Sequence, residues 1–295
     1  MPAEKNDLPP DFDCEFYKGT NIDLAQLNFN ERELIQHFIA SGEKEGRAGS
    51  PGCLRGNILP YIEKEKSILE IGPFTNPMIK GENVKYFDVL STPDLVRRAE
   101  QIGFPLVNVP HIDFVSPTGD LDVVDEVFSC VVSSHNIEHQ IDLVTHFKKI
   151  EKILAKGGRY YLMIPDKRFC FDHYVPESKI DDVLSAYNTQ NRTHTDANVI
   201  IHRSLTTHND TERHWKGDHA DPGFVEGMAD RIRSAVAEIA NSESSYVDVH
   251  AWQFTPSGFR LIMDAISSLN LTQLRAERIY NTPRGRNEFV AVLSK

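Results

Sequence analysis

The stretch Ser67–Pro77, SILEIGPFTNP, limits the fold of this 295-residue chain more than any other segment. A short apolar run with one acid inside it, Glu70, closes on a tight Gly72-Pro73 turn. That is the pattern of a buried parallel strand delivering a backbone turn to a ligand. At the carboxyl end of the first strand of a doubly wound sheet, such a turn is where a nucleotide-like cofactor is held.

The chain after this stretch alternates strands and helices. Val84–Val89 reads as a second strand with Asp88 near its carboxyl end, and Ser91-Thr92-Pro93 caps a helix running to about Gly103. His111–Phe114 is predicted as a short third strand with Asp113 at its end, and Glu126–Ser133 as a buried fourth. Asp142–Ala155 follows as an amphipathic helix stopped by Gly157-Gly158, then Tyr160–Ile164 as a fifth strand stopped by Pro165. From Phe169 to about Tyr246 the rhythm is interrupted by an insertion with two predicted helices, Glu177–Tyr187 and Phe224–Ala240. A helix from Thr255-Pro256 to about Leu269 and a pair of strands, Leu271–Tyr280 and Asn287–Leu293, complete a domain spanning 51–295.

Residues 1–50 form a separate small helical module. Residues 1–10 are polar and proline-rich and are expected to be poorly ordered. Leu34, Ile35, Phe38 and Ile39 then give one apolar face to a helix over Glu31–Ser41, closed by Gly42. The module is expected to clip onto the main domain or onto a second subunit, the latter making a homodimer.

A net charge of −11 argues against general nucleic-acid binding, and Lys148, Lys149 and Lys152 are spaced as a solvated helix face. The four cysteines lack any CxxC pair and read as reduced structural thiols. With no leader-like segment and no apolar run of membrane-spanning length, a cytoplasmic protein without a membrane span is expected.

The segments from Ile68 to Ile164 and from Trp252 to Ser294 resemble class I S-adenosylmethionine-dependent methyltransferases. The resemblance rests on Glu70-Ile71-Gly72-Pro73-Phe74-Thr75-Asn76, on Ser133-Ser134-His135-Asn136-Ile137-Glu138-His139, on Lys156-Gly157-Gly158 and on Pro165-Asp166-Lys167-Arg168-Phe169-Cys170-Phe171-Asp172. It implies an α/β, doubly wound, seven-stranded, mostly parallel sheet with an antiparallel last strand. Phe74 and Asn76 stand where the family's later glycines do. By resemblance, Glu70, Gly72, Pro73 and Phe74 form the cofactor turn, Asp88 accepts from the ribose and Asp113 from the adenine amino group. Ser134 and His135 approach the methionine half, where Glu138 and His139 orient the pocket. The SSHNIEH and PDKRFCFD segments are similar to those of methyltransferases encoded with glycan-biosynthesis enzymes. The FDxxFYxxTNxDLA pattern from Phe12 is similar to a short module of bacterial surface-polysaccharide proteins. The expected acceptor is a sugar or related small polar molecule.

A sugar hydroxyl needs a base at neutral pH. His194, His202, His208, His214 and His219 fall within one stretch of the insertion, which is read as an acceptor lid. The base is expected at His208, His214 or His219, with His139 or Asp166 as alternatives. Asp166 and Arg168 are acceptor-side candidates, and Trp215 offers a face for a sugar ring. No HExxH-type spacing is present, so no metal is expected. Two other readings compete. A nicotinamide-dependent sugar-nucleotide oxidoreductase is disfavoured by the absence of GxGxxG and YxxxK, and a non-catalytic binding subunit is kept open by the two missing glycines.

Overall fold

All four residues of β1 (Ile68–Ile71) are buried, because the strand has parallel partners on both sides: β2 (Val84–Asp88) and β4 (Phe128–Ser134). The computed structural model describes residues 8–9, 11–191, 193–242 and 246–295. The expectation for residues 1–10 therefore lies outside the described residues, apart from Leu8 and Pro9.

With β3 (Phe114–Val115), β5 (Leu154–Pro165), β6 (Arg275–Ile279) and β7 (Glu288–Ser294), the sheet has seven strands in the order β3-β2-β1-β4-β5-β7-β6. β7 runs antiparallel to both β5 and β6, and the remaining pairs are parallel. This is the Rossmann-like methyltransferase fold. Alternate residues feed two cores, as the two-residue period of a strand requires. Leu69, Val131, Leu162 and Ala291 join Phe147, Phe254 and Phe259 on one face, whereas Ile68, Val132, Met163 and Val292 join Ile58 and Ile62 on the other.

The helices are α1 (Cys14–Thr20), α2 (Ile22–Gln26), α3 (Glu31–His37), α4 (Arg55–Ile62), α5 (Thr92–Ile102), α6 (Leu143–Ile153), α7 (Ile180–Thr189), α8 (Asp196–Leu205), α9 (Thr211–Trp215), α10 (Met228–Asn241) and α11 (Pro256–Ser268). Ser91, Asp142 and Thr255 cap α5, α6 and α11 with their side chains, so the polar residue before each apolar run located these helix starts.

Three elements depart from expectation. β5 begins at Leu154, directly after α6, and Gly157-Gly158 lies inside the strand instead of ending the helix. Gly157 has φ 76°, and a Cβ on Gly158 would stand 2.9 Å from the carbonyls of Ala155 and Ser129, so the pair permits an irregularity where the β4–β5 register shifts. β3 starts after Asp113 and does not end on it. Among its described residues the insertion holds four helices, since α8 and α9 occupy the stretch read as a polar lid. The Thr195–Asn198 capping box was the local sign of α8.

In residues 11–50, Tyr17, Leu24, Leu34 and Phe38 make a small core of their own. Tyr280 Oη donates to Asp11 (2.7 Å), Asn281 to Glu43 (3.1 Å) and the Arg284 N–H to the Gly46 carbonyl (2.8 Å), tying these helices to the β6–β7 hairpin. Among the described residues no helix is long and apolar enough to cross a membrane.

Candidate functional site

At the carboxyl edge of β1 the chain turns at Gly72, which has φ 70° and an exposed backbone, while Pro73 is buried behind it. A Cβ on Gly72 would meet only Asn136 Nδ2, at 3.2 Å, so the turn abuts the loop that leaves β4. Phe74 follows in the left-handed region (φ 48°), a strained conformation for a residue with a side chain. Such strain persists only where the surroundings fix the backbone, and here Glu70 does so. Its carboxylate, 2% exposed, accepts from the N–H groups of Met78 (2.8 Å) and Ile79 (3.0 Å). Glu70 thus anchors the loop rather than reaching toward its open side.

Burial pushes the Glu70 carboxyl up to about 7, against the pull of those two N–H donors. An acid whose folded value lies above its unfolded one keeps its proton longer in the native state. The contribution of this group to stability is therefore fully present below about pH 4.5 and is lost as pH rises through about 7, an effect of roughly 3 kcal/mol. In urea titrations, the difference between wild type and Glu70→Gln should narrow as pH rises from 5 to 8; a constant difference would show that Glu70 does not titrate in this window.

Asp88 stands at the carboxyl end of β2, 7% exposed, with Oδ1 accepting from the Leu90 N–H (3.0 Å). Burial raises its carboxyl, and the backbone N–H groups of Leu90, Val89 and Phe74 oppose the shift. The Phe74 contact brings Asp88 to the β1 turn. Phe74 also packs edge-on against Phe104 (5.2 Å), and Phe104, Leu106 and Val107 expose apolar surface beside it. Asp113 does not join this group: its Oδ2 accepts from the Tyr86 N–H (2.9 Å) at the amino end of β3.

Where β4 ends, Ser134 Oγ accepts from Arg55 (2.6 Å), and Arg55 pairs with Glu288 at the start of β7. His135, at φ 48°, places Nε2 2.9 Å from the same Glu288 carboxylate. Burial works against the Glu288 charge, but His135 and Arg55 prevail and bring the carboxyl down to about 2. Arg55 and Glu288 lie outside the sequence-level site because nothing local marks residues more than 200 positions apart as partners.

Three residues past Ser134 the chain enters a short 3₁₀ turn, Ile137–His139. Glu138 is fully buried, and neither carboxylate oxygen has a hydrogen-bond partner among the described residues. Its Oε1 is 3.9 Å from His135 Nδ1, 3.9 Å from His139 Nε2 and 3.8 Å from His250 Nε2. His250 comes from the segment before α11, whose Ala251 and Trp252 N–H groups donate to the Glu138 carbonyl (2.8 and 3.1 Å). Beside this cluster runs a cleft of about 400 Å³, lined in part by Glu177, Ser178, Asn198, His202, His250 and Trp252.

The other residues singled out by sequence are engaged elsewhere. Asp166 is fully buried; Oδ1 accepts from the Arg168 N–H and Nε (3.0 and 2.9 Å), and Oδ2 from Arg168 Nη2 (2.6 Å) and Thr282 Oγ1. His214 is 2% exposed, with Nε2 on the His208 carbonyl (3.0 Å) and Nδ1 on His219 (3.0 Å). His208 faces the Asp218 carbonyl (3.2 Å) and accepts from the Asp210 N–H (3.2 Å). Both histidines thus have both ring nitrogens occupied in holding the 207–219 loop. Trp215 stacks face to face on Phe169 (3.8 Å) and crowds Gly46, so the ring expected to carry a sugar instead joins the insertion to the N-terminal helices. His214→Ala is expected to destabilise the fold by about 1–3 kcal/mol in urea denaturation, because it strips a buried ring from two partners. An unchanged midpoint would show that the loop does not depend on it.

No protein-family model and no curated protein matches the chain. Solved structures are similar in fold. A SAM dependent methyltransferase from Aquifex aeolicus is 9% identical, over 96% of this chain and 98% of that one, with a TM-score of 0.38. The mitomycin 7-O-methyltransferase MmcR is 10% identical with a TM-score of 0.39; 94% of this chain is covered, and the chain spans 61% of that protein's length. A protein described as a Zn-dependent alcohol dehydrogenase from Rhodobacter sphaeroides is 11% identical, over 82% of this chain and 88% of that one, with a TM-score of 0.38. At these identities and scores none of them carries an argument about activity.

Proposed function

We propose that this protein is an S-adenosylmethionine-dependent O-methyltransferase. The observation that carries the reading is the placement of the Gly72 turn, with Asp88 beside it, so close to the loop bearing Glu138 that a Cβ on Gly72 would stand 3.2 Å from Asn136 Nδ2. The residues present fit the cofactor. Gly72 leaves its backbone open, Asp88 offers a carboxylate at the strand end favoured for ribose recognition, and Phe74 with Phe104 offers apolar surface for a base. S-adenosylmethionine held there would supply a methyl carbon activated by its bond to a positively charged sulfonium sulfur, with a neutral thioether as the leaving group once an acceptor oxygen takes the methyl.

The chain's own work is alignment and proton transfer. The acceptor hydroxyl enters from the 400 Å³ cleft, in whose wall His250 stands, and gives up its proton to the buried Glu138 carboxylate. His208, His214 and Asp166 are less suited to take the proton, since their polar atoms are already engaged. Glu177, Ser178, Asn198 and His202 in the mixed lining of the cleft offer hydrogen-bonding groups to a small polar acceptor. The likeness of the SSHNIEH and PDKRFCFD segments to glycan-associated methyltransferases favours a sugar of surface-glycan synthesis.

Titration calorimetry tests the cofactor. Heat with S-adenosylmethionine and S-adenosylhomocysteine and none with NAD⁺ or NADP⁺ is expected; the reverse would make the protein an oxidoreductase. Mass spectrometry of glycans from a deletion strain tests the acceptor, through loss of a methyl group.

A further inference from the structure

We infer that Glu138, His139 and His250 form a binding site for one divalent transition-metal ion of the zinc class. Their ligand atoms all lie within 4.8 Å of one another. A fully buried carboxylate with no hydrogen-bond donor on either oxygen is costly to keep, and native structures keep such groups only with a partner. The nearest nitrogens, His139 Nε2 at 3.9 Å and His250 Nε2 at 3.8 Å, are too far to donate. They are close to the separation of roughly 3.4 Å between two ligands of a tetrahedral zinc ion with bonds of about 2.1 Å. The gap is thus too wide for a proton and nearly sized for an ion.

The histidines are oriented as ligands are. His139 Nδ1 sits 2.9 Å from Asp248 Oδ1, and His250 Nδ1 sits 2.6 Å from Asp172 Oδ2. A carboxylate can only accept, so each ring carries its proton on Nδ1 and turns Nε2 inward. A carboxylate behind the ring, fixing the tautomer of a metal-binding nitrogen, is the usual outer shell of a histidine site. Two lone pairs aimed at one anionic oxygen repel unless a cation stands between them. His135 Nδ1, 3.9 Å from the same oxygen and backed by Glu288, is oriented in the same way.

The inference stands on side-chain geometry and does not depend on the reaction proposed above. Spacing rules could not reveal this site, because two ligands are adjacent in sequence and the third lies more than a hundred residues away. Of the two other such groups among the described residues, His173, His214 and His219 is the control, since His173 and His219 stack at 3.6 Å and both nitrogens of His214 are engaged, while Asp172, His202 and His250 shares His250, whose Nδ1 is already bonded to Asp172.

The test uses the full chain, stripped with EDTA and dialysed against Zn²⁺. Plasma mass spectrometry is expected to find about one equivalent per chain, falling roughly tenfold or more in Glu138→Gln and His250→Ala and unchanged in His219→Ala. Co²⁺ in the wild-type protein should give the visible absorption of a four- or five-coordinate site. His139→Gln, a conservative change at a partly exposed position, should abolish that absorption while retaining the wild-type circular dichroism. Uptake below about a tenth of an equivalent by wild type overturns the assignment. So does zinc that stays with Glu138→Gln and His139→Gln, or that leaves with His219→Ala.

Discussion

Glu138→Gln is expected to slow methyl transfer by about 10³-fold while leaving affinity for S-adenosylmethionine within about twofold. Glutamine keeps the size of the side chain, so packing at this fully buried position survives, but its charge and one acceptor oxygen are lost. The carboxylate that His135, His139 and His250 surround is then gone, and with it the group that takes the acceptor's proton. The cofactor turn should be spared, because it touches the β4 loop at Asn136 and is held by Glu70 and Asp88. The rate is read as S-adenosylhomocysteine formed with whichever acceptor supports turnover by the wild type, and the affinity by calorimetry. A wild-type rate would place proton transfer elsewhere, His208 first.

Gly72→Ala should have the opposite profile: loss of cofactor affinity by ~100-fold or more, about 2.7 kcal/mol, at a modest cost in stability. Two effects are combined at this residue. At φ 70° any side chain strains the backbone, and the new Cβ would stand 3.2 Å from Asn136 Nδ2, on the exposed face of the turn. Gly103→Ala separates them. Gly103 ends α5 at φ 68° with nothing within 4 Å of its would-be Cβ, so it suffers the strain without the contact. Both variants should lose about 1 kcal/mol in urea denaturation, and only Gly72→Ala should lose cofactor heat. Equal affinity in the two would mean that the cofactor does not approach Gly72.

Much of the scaffold was legible because its signals are local. Ser91, Asp142 and Thr255 cap the helices they precede, and Ile68–Ile71 is buried on both faces as a short apolar run interrupted only by Glu70 implies. The misreadings also have local causes. Gly157-Gly158 looks the same as a helix stop and as a strand irregularity, and only pairing of Leu154 with Phe128 distinguishes them. Asp113 looks like a strand-end acid until the Tyr86 N–H is seen to occupy it. The histidines of the insertion attracted attention by density, yet density does not reveal that His208 and His214 spend their nitrogens on the loop's own backbone and neighbours.

The sequence by itself determined the strand–helix alternation, the turn at Gly72 and the place of Asp88 near a strand end, since each follows from side-chain periodicity and turn chemistry over a few residues, whereas the antiparallel last strand was what the resemblance to methyltransferases implied. Only the tertiary structure decided which polar groups meet. Glu138 gathers His135 and His139 from its own loop and His250 from the far side of the insertion, and Glu288 gathers Arg55 and His135 across more than 150 positions. Those encounters depend on how the insertion and the β6–β7 hairpin close over one edge of the sheet, and a long-range closure leaves no local pattern to read.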